Sequence, residues 1–198
     1  MSYTTTDEFG VLHALKVRGM STAEPLAEGT GITRIAVQQI LDDAVARGLA
    51  RSRTGGRVQG YMLTSGGQQR RAALQAQAVD TGQQDALGPA YEAFLPLNKE
   101  FKALTTEWQT AADRDVAGTL TRLRAVHADL GDLLKTAASA LPRMRFYLPR
   151  FDTALNRFAS GDTDALAKPM SGSYHDVWME LHEDLLLTLD RPRSGDDE

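Results

Sequence analysis

The 198-residue chain contains no cysteine, which excludes disulfides, thiolate metal sites, iron–sulfur clusters and cysteine nucleophiles. Long apolar runs are missing too. The longest candidate, Leu185-Leu186-Leu187, is three residues, against the ~18 that a membrane-spanning helix needs. The start, Met1-Ser-Tyr-Thr-Thr-Thr-Asp-Glu8, has neither the basic nor the apolar segment of a secretory signal. Catalytic signatures are absent: there is no Gly-x-x-x-x-Gly-Lys phosphate loop, no Gly-x-Gly-x-x-Gly after a strand and no Gly-x-Ser-x-Gly. His182-Glu183 begins like a zinc-protease motif, but position 186 is leucine where the second histidine belongs. His175 and His182 are too far apart along a helix to share one metal easily. The expectation is a cytoplasmic protein that is not an enzyme and has no membrane span, cofactor or metal.

What is present divides unevenly along the chain. Residues 1–72 hold 9 Lys and Arg against 6 Asp and Glu, a net of +3, while residues 73–198 hold 13 against 20, a net of −7. Ten of the 17 glycines lie in the first part and ten of the 13 aromatics in the second. A slightly basic, glycine-punctuated unit is thus joined to an acidic, aromatic-rich one. The expected organisation is a first domain over 1–72, a linker or connecting helix over 73–88, a helical domain over 89–190 and a disordered acidic tail over 191–198.

Within the first part, Phe9, Val11, Leu12 and Leu15 make an apolar stripe on a helix from about Asp7 to Val17, closed by Gly19. Ser21-Thr-Ala-Glu24 has the form of a capping box opening a second, short helix, and Glu28-Gly-Thr-Gly31 that of a turn. Thr33 caps a third helix to Arg47, with Val37, Ile40, Leu41 and Ala44 on one face. Leu49–Arg53 and Val58–Leu63 are predicted strands around the tight turn Thr54-Gly-Gly-Arg57.

Helix, helix, turn, helix and β-hairpin in this order is the pattern of a winged helix-turn-helix. Leu26-Ala-Glu-Gly-Thr-Gly-Ile32, Thr33-Arg34, Val37, Ala46-Arg-Gly-Leu49 and Tyr61-Met-Leu-Thr-Ser-Gly-Gly67 together resemble the MarR-like transcription regulators over about residues 8–72. The hairpin tip departs from the family in lacking its common Asp-x-Arg. The resemblance implies that the third helix enters the major groove of double-stranded DNA. Its outer face would then offer Thr33 to a phosphate, Ile35 to a thymine methyl, Arg34 to guanine O6 and N7, and Gln38 or Gln39 to adenine N6 and N7. Arg53 and Arg57 would flank the wing tip, with Arg51 as an alternative on the same strand. Asp42-Asp43 would repel phosphates if turned outward.

From Gly88 onward the periodicity predicts helices. Phe94, Leu97, Phe101, Leu104 and Trp108 form one stripe, which Pro96 would kink or restart. Val116, Leu120, Leu123, Leu130, Leu134 and Leu141 form a second, and a third runs over about Met144–Ala159. A fourth, capped by Ser173, has an acidic opposite face of Asp176, Glu180, Glu183 and Asp184. Such helices build a bundle, a homodimer interface or both. His127, Arg145, Tyr147 and Trp108 are the candidate lining of a small-molecule effector pocket. Against this stand a hydrogen-bonded core histidine at 127, arginines paired with acids, and aromatics that are simply core. The expected fold is mainly α with a small β-hairpin. The expected function is a dimeric, sequence-specific transcriptional regulator; the alternative is a winged-helix protein-interaction scaffold without sequence-specific DNA binding.

Overall fold

A computed structural model describes residues 3–55 and 59–192. They are mostly helical, with one two-stranded antiparallel hairpin. The chain divides into two compact units, Met1–Asp80 and Thr81–Glu198. Residues 73–88, expected as a linker or connecting helix, are the end of one helix and the start of the next, separated by Val79 and Asp80. The tail beyond residue 192 lies outside the described residues.

In the first unit, α1 (Thr5–Arg18) opens on a capping box in which Thr4 accepts from the Asp7 amide and the Asp7 carboxylate accepts from that of Thr4. α2 (Ala23–Thr30) and α3 (Arg34–Ala46) follow, joined at Gly31, which takes the left-handed conformation at φ 72°. β1 (Ala50–Arg53) and β2 (Gly60–Leu63) form the hairpin, and α4 (Ser65–Ala78) closes the unit. Val11 and Leu15 of α1, Leu26 of α2, and Val37, Ile40 and Leu41 of α3 make one buried cluster. The face predicted for α3 is therefore the one that packs.

The Ser21 capping box does not form. Thr22 occupies the N-cap without a side-chain bond, because Ser21 is engaged elsewhere: its amide donates to the Tyr61 carbonyl at 3.1 Å and its carbonyl accepts from the Tyr61 amide at 2.8 Å. Ser21 thus extends the hairpin edge by one bridge. Gly60 sits at that crossing with φ 147°, where an added Cβ would lie 2.7 Å from the Ser21 carbonyl oxygen. Glu8, nearly buried, ties three elements together. It accepts from Arg47 Nη1 at 2.8 Å and from Arg70 Nε and Nη2 at 3.1 and 2.6 Å. The hydrogen bonds from Arg70 are the main reason its carboxyl is held below the ordinary range, against the opposing effect of burial.

The second unit holds α5 (Thr81–Thr110), α6 (Val116–Ala140), a 3₁₀ turn (Pro142–Phe146), α7 (Tyr147–Ala159), the short α8 (Asp164–Ala167) and α9 (Tyr174–Thr188). α5 is one helix through both Pro89 and Pro96, so of the expected kink or restart at Pro96 the restart does not occur. The prolines are seven residues apart, two turns along one exposed face. The carbonyls they deprive of a partner belong to Asp85 and Glu92, which are exposed to water. On α6 the apolar face begins later than expected: Val116 is exposed and Leu120 half-buried, while Val126, Leu133 and Ala137 are buried.

α9 departs most from the sequence expectation. It has no open acidic face, since Asp184 is buried and Glu180 nearly so. Arg143 Nη2 donates to Asp184 Oδ1 at 3.0 Å, and Arg150 Nη2 to Glu180 Oε2 at 2.5 Å. Ser173 caps the helix as expected, in a reciprocal box with Asp176. Trp178 lies at the centre, stacked on Phe94 and Phe101, and donates from Nε1 to the buried Asn98 Oδ1 at 2.8 Å.

Candidate nucleic-acid interface

α3 is anchored along one side and open along the other. Thr33 caps it, accepting from the Ala36 amide at 3.3 Å, and its side chain is exposed. Arg34 and Gln39 are exposed, and Ile35 retains 73% of its accessible surface. The only ion pair of Arg34 among the described residues is with Glu24, at 3.4 Å, with both side chains about two-thirds exposed. A pair so open to solvent contributes about 0–1 kcal/mol at most. Arg34 is therefore free to exchange it for another acceptor.

Gln38 is different. Its Nε2 donates to Asp42 Oδ1 at 2.8 Å and to the Tyr61 hydroxyl at 2.8 Å, and the Tyr61 hydroxyl reaches Asp42 Oδ1 at 3.5 Å. The expected two-point fork of Gln38 onto adenine needs an amide hydrogen that is already engaged here. Gln39, the other glutamine offered for that role, is exposed. The same network accounts for Asp42, whose carboxylate is turned to these donors. Asp43 Oδ2 accepts from the Tyr3 hydroxyl at 2.8 Å.

On β1, Arg51 and Arg53 are both exposed, two residues apart and so on one face of the strand. They pair in register with Met62 and Gly60. Arg57 lies outside the described residues. Behind the strand is a groove of about 650 Å³ lined by Arg51, Ser52, Thr64, Ser65 and Gly66, with Val45, Gly48 and Ala50.

The four candidate effector residues have separate partners. His127 Nδ1 lies 3.2 Å from the Tyr174 hydroxyl and Nε2 3.0 Å from Asp152 Oδ1, so it bridges α6, α7 and α9. Tyr147 is buried and donates to Asp184 Oδ2 at 2.9 Å. Burial, reinforced by the charges of Asp184 and Glu180, holds its phenol well above the ordinary value. Trp108 packs edge-to-face on Phe158, with the Arg114 guanidinium 5.0 Å from its ring centre. Arg145 is exposed and lies over Phe146. His175 packs beside Phe101, where burial lowers its pKa, and the buried His182 packs beside Phe94. Among the described residues no cluster of three or more His, Asp and Glu could hold a metal, and no helix is long and apolar enough to cross a membrane.

Compared with protein-family models, curated proteins and solved structures, the chain matches none. The residue that sequence reasoning passed over is Tyr61, noted only as part of a motif. Its role depends on a contact 23 residues away, although the Gln38–Asp42 half of the network is an ordinary i, i+4 helix pair.

Proposed function

We propose that this chain is a sequence-specific DNA-binding transcriptional regulator that works as a dimer, with its first unit as a winged helix-turn-helix of the MarR-like kind. The observation that carries this reading is the open side of α3. Arg34, Ile35 and Gln39 stand exposed on a helix whose opposite side is locked into the core by Val37, Ile40 and Leu41. These side-chain types suit a guanine edge, a thymine methyl and an adenine edge respectively. Arg51 and Arg53, exposed on the strand that follows, suit phosphate contacts that fix the protein's position on the duplex. The net charge of +3 over residues 1–72 doubles in a dimer.

The second unit is the proposed dimerisation unit, in which Tyr147 and Trp108 are buried. Two copies of α3 engage a palindrome when they lie roughly 34 Å apart, one turn of DNA. Selection from a pool of random duplexes with the full-length protein tests this. The expected outcome is a palindromic sequence with half-sites one turn apart, bound by a particle that light scattering sizes as two chains. A pool that stays random after repeated rounds would overturn the reading in favour of the protein-interaction scaffold.

A further inference from the structure

The Gln38–Asp42–Tyr61 network has a consequence for which bases are read. A glutamine amide has two hydrogens and one oxygen with two lone pairs. The Asp42 carboxylate only accepts, so the Gln38 atom 2.8 Å from it is the nitrogen. The second amide hydrogen goes to the Tyr61 oxygen, also at 2.8 Å, and the tyrosine's own hydrogen points back toward Asp42. Both donors of Gln38 are engaged, and Oε1 is left as the atom with which this half-buried side chain can make a further hydrogen bond. Tyr61 is held at its backbone by two hydrogen bonds with Ser21 as well as at its hydroxyl.

We propose that Gln38 is an acceptor-only reader, selecting a base that carries an exocyclic amine, adenine N6 or cytosine N4, and rejecting guanine and thymine. This rests on the DNA-reading function proposed above. In the major groove every base pair has one amine and one keto oxygen, N6 against O4 in A·T and N4 against O6 in G·C. An amide oxygen bonds the amine and repels the keto group. Gln38 therefore reports which strand carries the amine and does not separate A from C. Tyr61 and Asp42 are positioning residues: they set the specificity of Gln38 by occupying its nitrogen. Releasing one amide hydrogen restores the two-point fork to adenine, for which the hydrogen on the same side as Oε1 is needed. Tyr61→Phe frees one of the two hydrogens and Asp42→Ala the other, so one of these variants should gain adenine specificity.

The test uses the full-length protein, the duplex selected by the wild type, and every single-base-pair substitution of it, with binding read by fluorescence anisotropy. Gln38→Ala locates the position, as the one whose preference disappears. There the wild type should favour A and C alike over G and T by roughly threefold to tenfold, the worth of one hydrogen bond. Tyr61→Phe or Asp42→Ala should then favour A over C by about tenfold, while the preferences at other positions persist. Circular dichroism checks that both variants remain folded. Preference for adenine alone or for a keto base in the wild type would overturn the inference and leave DNA reading intact. So would two folded variants that both still accept C as well as A, or a Gln38→Ala protein whose preferences are unchanged throughout. Absence of any preference in the wild type would overturn both.

Discussion

Replacing Gly67 with alanine should weaken the first unit, although alanine is the better helix former. Gly67 lies in the first turn of α4 and is buried. Its amide donates to Thr64 Oγ1 at 3.1 Å. A Cβ there would overlap the Leu49 carbonyl oxygen and lie 3.2 Å from Leu63 Cδ2. The Leu49 carbonyl has little room to move, because it accepts from the Thr64 amide at 3.0 Å while the Leu49 amide donates to Ala44 at 2.7 Å. Overpacking of this kind costs about 1–3 kcal/mol, and loosening the Leu49–Thr64 bond adds about 1 kcal/mol. Helix propensity returns about 0.5–1 kcal/mol. The net loss is about 1–3.5 kcal/mol, which for a unit of this size lowers Tm by roughly 5–25 °C.

Gly66 is the internal control. Its nearest neighbour is Thr64 Oγ1 at 3.6 Å, an ordinary contact, so Gly66→Ala should be neutral or stabilising by up to about 1 kcal/mol. Thermal melts followed by far-UV circular dichroism compare the two variants. Trp108 and Trp178, both in the second unit, report that unit separately by fluorescence. Equal melting of Gly66→Ala and Gly67→Ala would refute the close approach of α4 to Leu49.

Three further outcomes follow from the ion pairs and the open face of α3. Glu8→Gln should cost about 1.5–3 kcal/mol at pH 7, the worth of hydrogen bonds to a charged group, measured as a lower urea midpoint. Because the folded-state pKa of Glu8 is depressed, its contribution is complete above the unfolded value of about 4.3 and fades as pH falls through the folded one. The gap between wild type and Glu8→Gln should therefore close at acid pH, and a gap that persists at pH 2 would contradict the assignment. Arg143→Ala removes the guanidinium that donates to the buried Asp184, which also accepts from the hydroxyls of Tyr147 and Thr188, and should destabilise the second unit by about 2–4 kcal/mol, seen in tryptophan fluorescence under urea. Ile35→Ala should leave Tm within about 4 °C, because the side chain is open to solvent; a large drop would place it in the core.

The parts of the fold legible in the sequence are those set by local repetition. Val37, Ile40, Leu41 and Ala44 recur at helical spacing, and Thr33 caps at the expected place. Ser173 and Asp176 form their box because both ends of it lie within four residues. Readings failed where a distant partner decides. Ser21 is drawn from its cap by Tyr61, 40 residues on. Asp184 and Glu180 face water by periodicity, but Asp184 is buried and Glu180 nearly so, where arginines preceding and within α7 reach them. Pro96 does not restart its helix for a different reason: a proline's cost to a helix depends on whether water can serve the orphaned carbonyl, which the sequence pattern does not reveal.

Binding of the full-length protein to the duplex upstream of its own reading frame tests the proposed function most directly. Anisotropy titrations at two salt concentrations would compare this duplex with a scrambled one, for wild type and Arg34→Ala. The expected result is a wide gap between native and scrambled DNA, weakening as salt rises. Arg34→Ala should then lose roughly tenfold or more on the native duplex and little on the scrambled one. Equal binding of both duplexes that Arg34→Ala leaves unchanged would contradict the assignment of α3 as a reader of DNA.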